Sequence, residues 1–445
     1  MKLKKTFGIL ICGLGLNTSS ALALDLVQAL KLAQDNDVVL QAAHAEYLAV
    51  TEVESQSTAS LLPDVSLSIF AQKNSTEISN ATGSYSNSES DFTTDGYTLT
   101  LTQSLYNKQL FDAMDESEAF SAQALASFEA SKQTLIIRLA QAYFGVLAAQ
   151  DNVAFAEAEK KANARLLKQN QERFKVGIIA ITDVKEAQAK YDSAVAQAII
   201  ASNELSNQQE ALWFIIKQRP ESLSSLKDSI PLDFPELADI KSWQDRALAN
   251  NLMLRAAHYA VEAAKENYTS QRAGHYPTLN LTAQHSSTSA DGSTTGFGGR
   301  DLDDTTIGLS LDIPIYSGGY TSSKIRQSAA ELDQAKMLFE KQQRQTIQDM
   351  RTAYLGVQAA IAQVEAFKQV LISTESATEA TELGFEVGTR TSVDVLLAQG
   401  NLFKSQRDYA KARYDFILKL LEIKYAAGLL APADIQHINQ WLSPS

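Results

Sequence analysis

The sequence predicts an α/β membrane protein: an outer-membrane β-barrel completed by several chains, continuous with a long periplasmic α-helical coiled-coil barrel and built on an internal duplication. Three observations carry that reading. The chain opens with a secretory leader, it repeats itself at a spacing of 211 to 214 residues, and each copy switches from helical to two-residue periodicity and back at the same point.

The leader comes first. Lys2, Lys4 and Lys5 precede an apolar run over residues 7–16 that is too short to span a bilayer. Ala21-Leu22-Ala23 then offers a small-residue cleavage site, so residues 1–23 read as a signal peptide. The only cysteine, Cys12, lies inside it and follows Ile11 where a lipid-anchor signal needs a small residue. The mature chain therefore has no disulfide framework, although it enters an oxidising space. Losing Lys2, Lys4 and Lys5 deepens the formal net charge from −13 to −16. That acidity argues against nucleic acid and favours cationic or neutral ligands, or simply a soluble envelope surface. No later apolar run is long enough for a membrane helix, so passage through a membrane must use strands.

The duplication fixes the domain plan. "LQAAHAEYLAV" (40–50) resembles "LRAAHYAVEAA" (254–264), with His44 and His258 in register, and "AYFGVLAAQ" (142–150) resembles "AYLGVQAAI" (353–361). The first repeat spans 24–218 and the second 240–427. Between them the proline-rich segment 219–239 is the linker, and 428–445 is a tail.

Each repeat then runs through one order of elements. A helix over about 26–62, and again 240–276, stops at Pro63 or Pro277, because proline disfavours helix in the residue before it. Alternation follows, with Val65, Leu67 and Ile69 against serines, and Leu99 and Leu101 against threonines. Ile307, Leu309 and Leu311 repeat the pattern in the second copy. Each repeat so carries one hairpin, about 63–107 and 277–316, whose strands are long enough to cross an outer membrane. Proline-free helices over about 108–175 and 321–387 come next. At 1.5 Å per residue each is on the order of 100 Å long. Ile136, Leu139, Tyr143 and Val146, and likewise Met350, Tyr354, Val357 and Val364, form heptad seams that ask for partner helices.

The long helices end in matching turns, "KVGIIAITDV" (175–184) and "EVGTRTSVDV" (386–395), and return helices follow over about 183–217 and 394–427. Gly177 and Gly388 stand where a helix C-cap needs positive φ. Asp183 and Asp394 align without a gap, whereas Arg390 faces Ile179 in the other copy. Thr182-Asp183 with Glu186 has capping-box spacing, and Asp394 also suits a helix start, so both aspartates have an ordinary structural role open to them.

One chain supplies four strands. Lipid-facing backbone needs a closed ladder, and the smallest membrane barrels use about eight strands. Closure therefore needs several copies around a cyclic axis, without the residues choosing between dimer, trimer and tetramer.

"RFKVGIIAITDVKEAQAKYD", "GFEVGTRTSVDVLLAQ" and "IPIYSGG" (313–319), within the duplicated order of elements, resemble the TolC-type outer-membrane efflux proteins over essentially the whole mature chain. The resemblance implies a homotrimer with a twelve-stranded barrel, a helical tunnel girdled by an equatorial belt from the linker and tail, and no catalytic residues, cofactor or metal. It implies a passive exit duct for drugs, small toxic molecules or polypeptides, in efflux or type I secretion. Its partners would be a periplasmic adaptor, an inner-membrane pump of RND, ABC or MFS type, and outer-membrane lipid. A periplasmic gate would map to Thr182 and Asp183 on the first turn and to Phe385 and Arg390 on the second. Phe385 stands where the family has tyrosine. Asp394 would line an acidic constriction, with Leu397 at the family's second aspartate position, and the tips at Gly177 and Gly388 would meet the adaptor.

Other classes fare worse. The five histidines are scattered, no HExxH, Walker A or nucleophile-elbow pattern occurs, and "DGSTTGFGGR" (291–300) lies between strands. His44 and His258 read as packing or surface residues. The rival reading is a trimeric coiled-coil adhesin or stalk, against which the hairpins lie inside the repeats and not at the C-terminus.

Overall fold

The structure, a computed structural model, describes residues 23–79, 88–234, 239–293 and 298–443. Almost all of the predicted leader, and parts of both hairpin loops, lie outside these residues.

Four strands form one antiparallel sheet in the order β1 (Asp64–Ile78), β2 (Ser88–Tyr106), β4 (Thr278–Ala290), β5 (Arg300–Asp312). Its register sorts the side chains by face. Val65 lies opposite Leu101, Leu67 opposite Leu99 and Ile69 opposite Tyr97; in the other hairpin Leu279 faces Leu311, Leu281 faces Leu309 and Ala283 faces Ile307. Across the join Leu101 pairs with Ala283, so the apolar stripe runs unbroken over both hairpins. The alternate residues are polar: Ser66 opposite Thr100, Thr100 opposite Gln284, Gln284 opposite Thr306. On the apolar face Leu67 is 60% and Ile307 74% exposed, which suits lipid and not water. No helix among the described residues is long and apolar enough to cross a membrane. Among the described residues β1 and β5 each pair on one side only, leaving both outer edges open.

Below the sheet run the two long helices, α3 (Lys108–Lys175) and α7 (Tyr320–Glu386), each returned by a shorter one, α4 (Ile181–Ile216) and α8 (Ser392–Ala426). The seams are buried as their spacing predicts, Leu139 and Tyr143 on α3 and Met350 and Val357 on α7 being fully covered.

The helix expected before each hairpin is two helices. α1 (Leu26–Asn36) breaks at Asp37 before α2 (Val38–Ala59), and α5 (Ile240–Asn250) breaks at Asn251 before α6 (Leu252–Ala273). Asp37 and Asn251 adopt extended backbone, ψ 114° and 122°, and each caps the helix that follows, through Leu40 N–H at 2.7 Å and Leu254 N–H at 2.9 Å. Before the break α1 packs on α3 and α4, and α5 packs on α7. Beside α1, β3 (Ser225–Leu226) between the repeats pairs with β6 (Leu442–Ser443), next to α9 (Pro432–Asn439).

The largest core lies where α1 and α9 meet the long and return helices. Leu26, Ala29 and Leu30 pack with Leu139, Tyr143, Leu212, Phe416, Ile417, Leu421, Ile435 and Ile438. Full burial of each large side chain contributes roughly 1.5–3 kcal/mol. Tyr143 is fully buried, yet its hydroxyl is used: it is within hydrogen-bonding distance of the Leu24 carbonyl at 2.9 Å and the Ser224 carbonyl at 3.0 Å. Gly428, at φ 71°, ends α8 against the α5–α6 break, where an added Cβ would stand 2.8 Å from Asn251 Cα.

α6 packs against both α3 and α7, whereas α2 packs against α3 and buries none of its own residues. The duplicated plan thus leaves α2 with an open face where α6 has a second neighbour.

Candidate functional site

The predicted site residues gather at the end of the helices farthest from the sheet. Both hairpin tips close with the same hydrogen-bonded turn. On α3, Ile178 N–H bonds the Arg173 carbonyl at 3.0 Å and Gly177 N–H bonds Phe174 at 2.9 Å; on α7, Thr389 N–H bonds Gly384 at 2.8 Å and Gly388 N–H bonds Phe385 at 3.2 Å. This pattern needs a left-handed residue at its centre, supplied by Gly177 (φ 77°) and Gly388 (φ 84°). Open space surrounds both glycines, so backbone conformation and not crowding requires them.

The second tip carries extra bonds. Arg390 N–H and the Thr389 hydroxyl both reach the Gly384 carbonyl at 3.1 Å. The Arg390 stem lies across Gly384, where an added Cβ would stand 2.7 Å from Arg390 Cγ. Its guanidinium points into solvent, and among the described residues it forms no ion pair within the chain.

Thr182 and Asp183 do not form the capping box that their spacing suggests. α4 begins at Ile181 after Ala180, which offers no side-chain cap, so Asp183 falls at the third helical position. There its carboxylate complements the positive end of the helix. Thr182 is exposed and Asp183 half-buried, and the Asp183 carbonyl accepts from Asn170 Nδ2 at 3.4 Å. The first tip thus offers an acceptor and the second an exposed cation, and among the described residues the two are not joined inside one chain.

Asp394 does take part in a capping box, as the partner of Thr391. The Thr391 hydroxyl accepts from Asp394 N–H at 3.2 Å, and Asp394 Oδ2 accepts from Thr391 N–H at 2.9 Å. The Thr391 backbone and side-chain bonds, with Arg390 nearby, hold the Asp394 carboxyl below the usual carboxylate range. Leu397, one turn along, is 54% exposed.

Phe385 is buried between the two helical hairpins. It packs with Leu166 and Leu167 of α3, Ala187 of α4, and Val395 and Leu396 of α8, while the Arg173 guanidinium stands 4.3 Å from its ring centroid. Its repeat equivalent, Phe174, is 42% exposed. Sequence reasoning missed Arg173, which reads there only as a cation suited to a helix C-terminus, and Thr391, whose spacing to Asp394 was the available signal.

The outer membrane efflux protein family matches residues 29–216 and 243–429, one block in each repeat. The chain is 34% identical over 430 residues to outer membrane protein TolC of Vibrio cholerae, covering 96% of both chains. It is 28% identical to the alkaline protease secretion protein AprF of Pseudomonas aeruginosa, covering 94% of this chain and 87% of that one. The fold superposes on the CmeC outer membrane channel of Campylobacter jejuni with a TM-score of 0.79 and 18% identity, covering 94% of this chain and 89% of that one.

Proposed function

Since this chain belongs to the outer membrane efflux protein family, we propose a specific form of exit duct for it, with a gate at the helical tips. The duct lies in the outer membrane and extends into the periplasm, and it serves efflux and type I secretion. Its relatives are channel and secretion proteins, and its own part is passive conduction. Three copies close the barrel, each adding four strands, so that β5 of one chain pairs with β1 of the next and twelve strands face lipid. The open face of α2 takes α7 of the neighbouring chain, as α6 takes α7 within the chain.

At the periplasmic end the tips are drawn together. Arg390 of one hairpin reaches Asp183 and Thr182 of a neighbouring first hairpin, while Phe385 holds the two hairpins of one chain side by side. Asp394 lines the constriction, one carboxylate per chain, with Leu397 in place of a second. A periplasmic adaptor grips the tips at Gly177 and Gly388, where Val176, Ile178 and Val387 are exposed apolar contacts. An energised inner-membrane pump of RND, ABC or MFS type then delivers the cargo, and outer-membrane lipid surrounds the barrel.

The observation that carries this reading is the four-stranded sheet, apolar on one face, polar on the other and open at both edges, set above two long helical hairpins. Crosslinking and co-purification from envelopes tests it. A trimer that captures an adaptor and a pump is expected; a monomer, or a trimer without either partner from cells carrying them, overturns it.

A further inference from the structure

Just below the sheet, where α3 leaves β2, three carboxylates converge. One oxygen from each of Asp112, Asp115 and Glu266 lies within 4.8 Å of the other two, although Glu266 belongs to α6 of the other repeat. Asp112 is 1% exposed. Lys108 bonds its Oδ1, but Oδ2 is buried and has no hydrogen-bond partner. A buried carboxylate oxygen left without a donor or cation is costly.

The nearby side-chain cations do not balance the site. Lys108 bonds Asp112 and also lies close enough to Asp115 and Glu266 to feel their charge, and Lys265 is shared between Glu262 at 3.2 Å and Glu266 at 3.4 Å. Two ammonium groups therefore face four carboxylates, leaving two formal negative charges. Glu116 alongside is held by Asn267, at 3.1 and 3.3 Å, so it brings no cation either. A calcium ion binds oxygens at about 2.3–2.6 Å, so two of its ligands stand at most about 5 Å apart. The three carboxylates already meet that spacing.

We propose that Asp112, Asp115 and Glu266 form a calcium site that pins α3 to α6, joining the two repeats where the helical body meets the barrel. Calcium fits better than magnesium because the ligands are carboxylates on two separate helices, not a compact octahedral set. Water completes the shell, and Lys108, whose side chain is partly exposed, swings outward as the ion takes its place. The corresponding repeat positions are Ser323, Arg326 and Glu52, with one carboxylate and a built-in guanidinium, so the site occurs once per chain and not twice.

The test is calcium binding to the purified, chelator-stripped full-length protein by equilibrium dialysis with radiolabelled calcium, together with thermal unfolding with and without the ion. One calcium per chain is expected, with affinity around 10⁻⁴–10⁻³ M as in envelope-exposed modules, and an upward shift of the unfolding midpoint. Asp115→Asn with Glu266→Gln spares the buried Asp112 and is expected to weaken binding at least tenfold and to abolish the shift. Glu379→Gln, at an exposed position of α7 far from the cluster, is expected to leave both unchanged. Absence of stoichiometric binding at about 5 mM calcium, well above that range, overturns the site. So does binding that survives the double substitution or is lost with Glu379→Gln.

Discussion

The Arg173 guanidinium lies 4.3 Å from the centroid of the Phe385 ring, so that the end of α3 covers the end of α7. Phe385 is 7% exposed and touches residues of both helical hairpins. A phenylalanine here has no hydroxyl to give, and the contact uses packing and the face of the ring instead. Such a cation–ring contact is worth about 0.5–2 kcal/mol, and truncating a buried phenylalanine costs about 3–5 kcal/mol. Phe385→Ala is therefore expected to raise single-channel conductance in planar bilayers strongly, and Arg173→Gln weakly. If Phe385→Ala conducts as wild type, the ring does not hold the tip closed.

The Arg390 side chain is exposed and, among the described residues, forms no ion pair within the chain, while its stem lies over Gly384. That arrangement presents a charge outward at small entropic cost, and in the proposed gate this charge meets the acceptor on a neighbouring tip. Arg390→Ser is expected to raise conductance several-fold, and Asp183→Asn to do the same. Because both remove one link, the double variant should conduct no more than the stronger single one. Additive increases would show that the two residues act separately.

Asp394 gives a pH signature. Its carboxyl is held below the usual carboxylate range by hydrogen bonds from the Thr391 backbone and side chain and by Arg390. A depressed value keeps the group ionised to lower pH. Block of the channel by a trivalent cation is thus expected to persist as the pH falls through the ordinary aspartate range, and to disappear in Asp394→Ala. Thr391→Val removes a donor, so its block should be lost at higher pH than in wild type. Identical pH profiles for the two would mean that this hydrogen bond does not set the charge.

Much of this was open to reading in the sequence, for a physical reason. Strands, long helices and glycine turns follow local rules: alternation, heptad spacing and the need for positive φ. The register of His44 with His258 is also explained by packing, since His44 lies 5.1 Å from the Phe128 ring and His258 lies 6.1 Å from the equivalent Phe339. Tertiary partners decide the rest. Phe174 and Phe385 occupy the same repeat position, and only the second has an arginine above it and a second hairpin beside it. The carboxylates of Asp112 and Glu266 are 154 positions apart, a distance at which no motif spacing operates. The helix breaks were hidden in the same way: Asn36-Asp37 and Asn250-Asn251 suit a helix interior or a cap, and remote groups choose between them. For Asn251 that group is the Ala426 carbonyl, which accepts from Asn251 Nδ2 at 3.0 Å.

For Asp37 the remote group is Arg138, and this makes the break testable. Asp37 is fully buried, and its Oδ1 accepts from both Leu40 N–H at 2.7 Å and Arg138 at 2.8 Å. Asp37→Ala removes the cap of α2 and the ion pair together, and is expected to cost about 3 kcal/mol, as when one partner of a buried pair is lost. Asp37→Asn keeps an acceptor for Leu40 and should cost less. Arg138→Ala should cost at least as much as Asp37→Ala, because it strands a carboxylate that has no access to water, whereas Arg138 itself is 28% exposed. Denaturant unfolding of the three variants at neutral pH measures the order. A loss below about 0.5 kcal/mol for Asp37→Ala, the level of an ordinary surface substitution, would mean that α1 and α2 part at this point for some other reason. The order itself separates cap from charge: equal losses for Asp37→Ala and Asp37→Asn would assign the break to the ion pair, and a near-neutral Asp37→Asn would assign it to the cap.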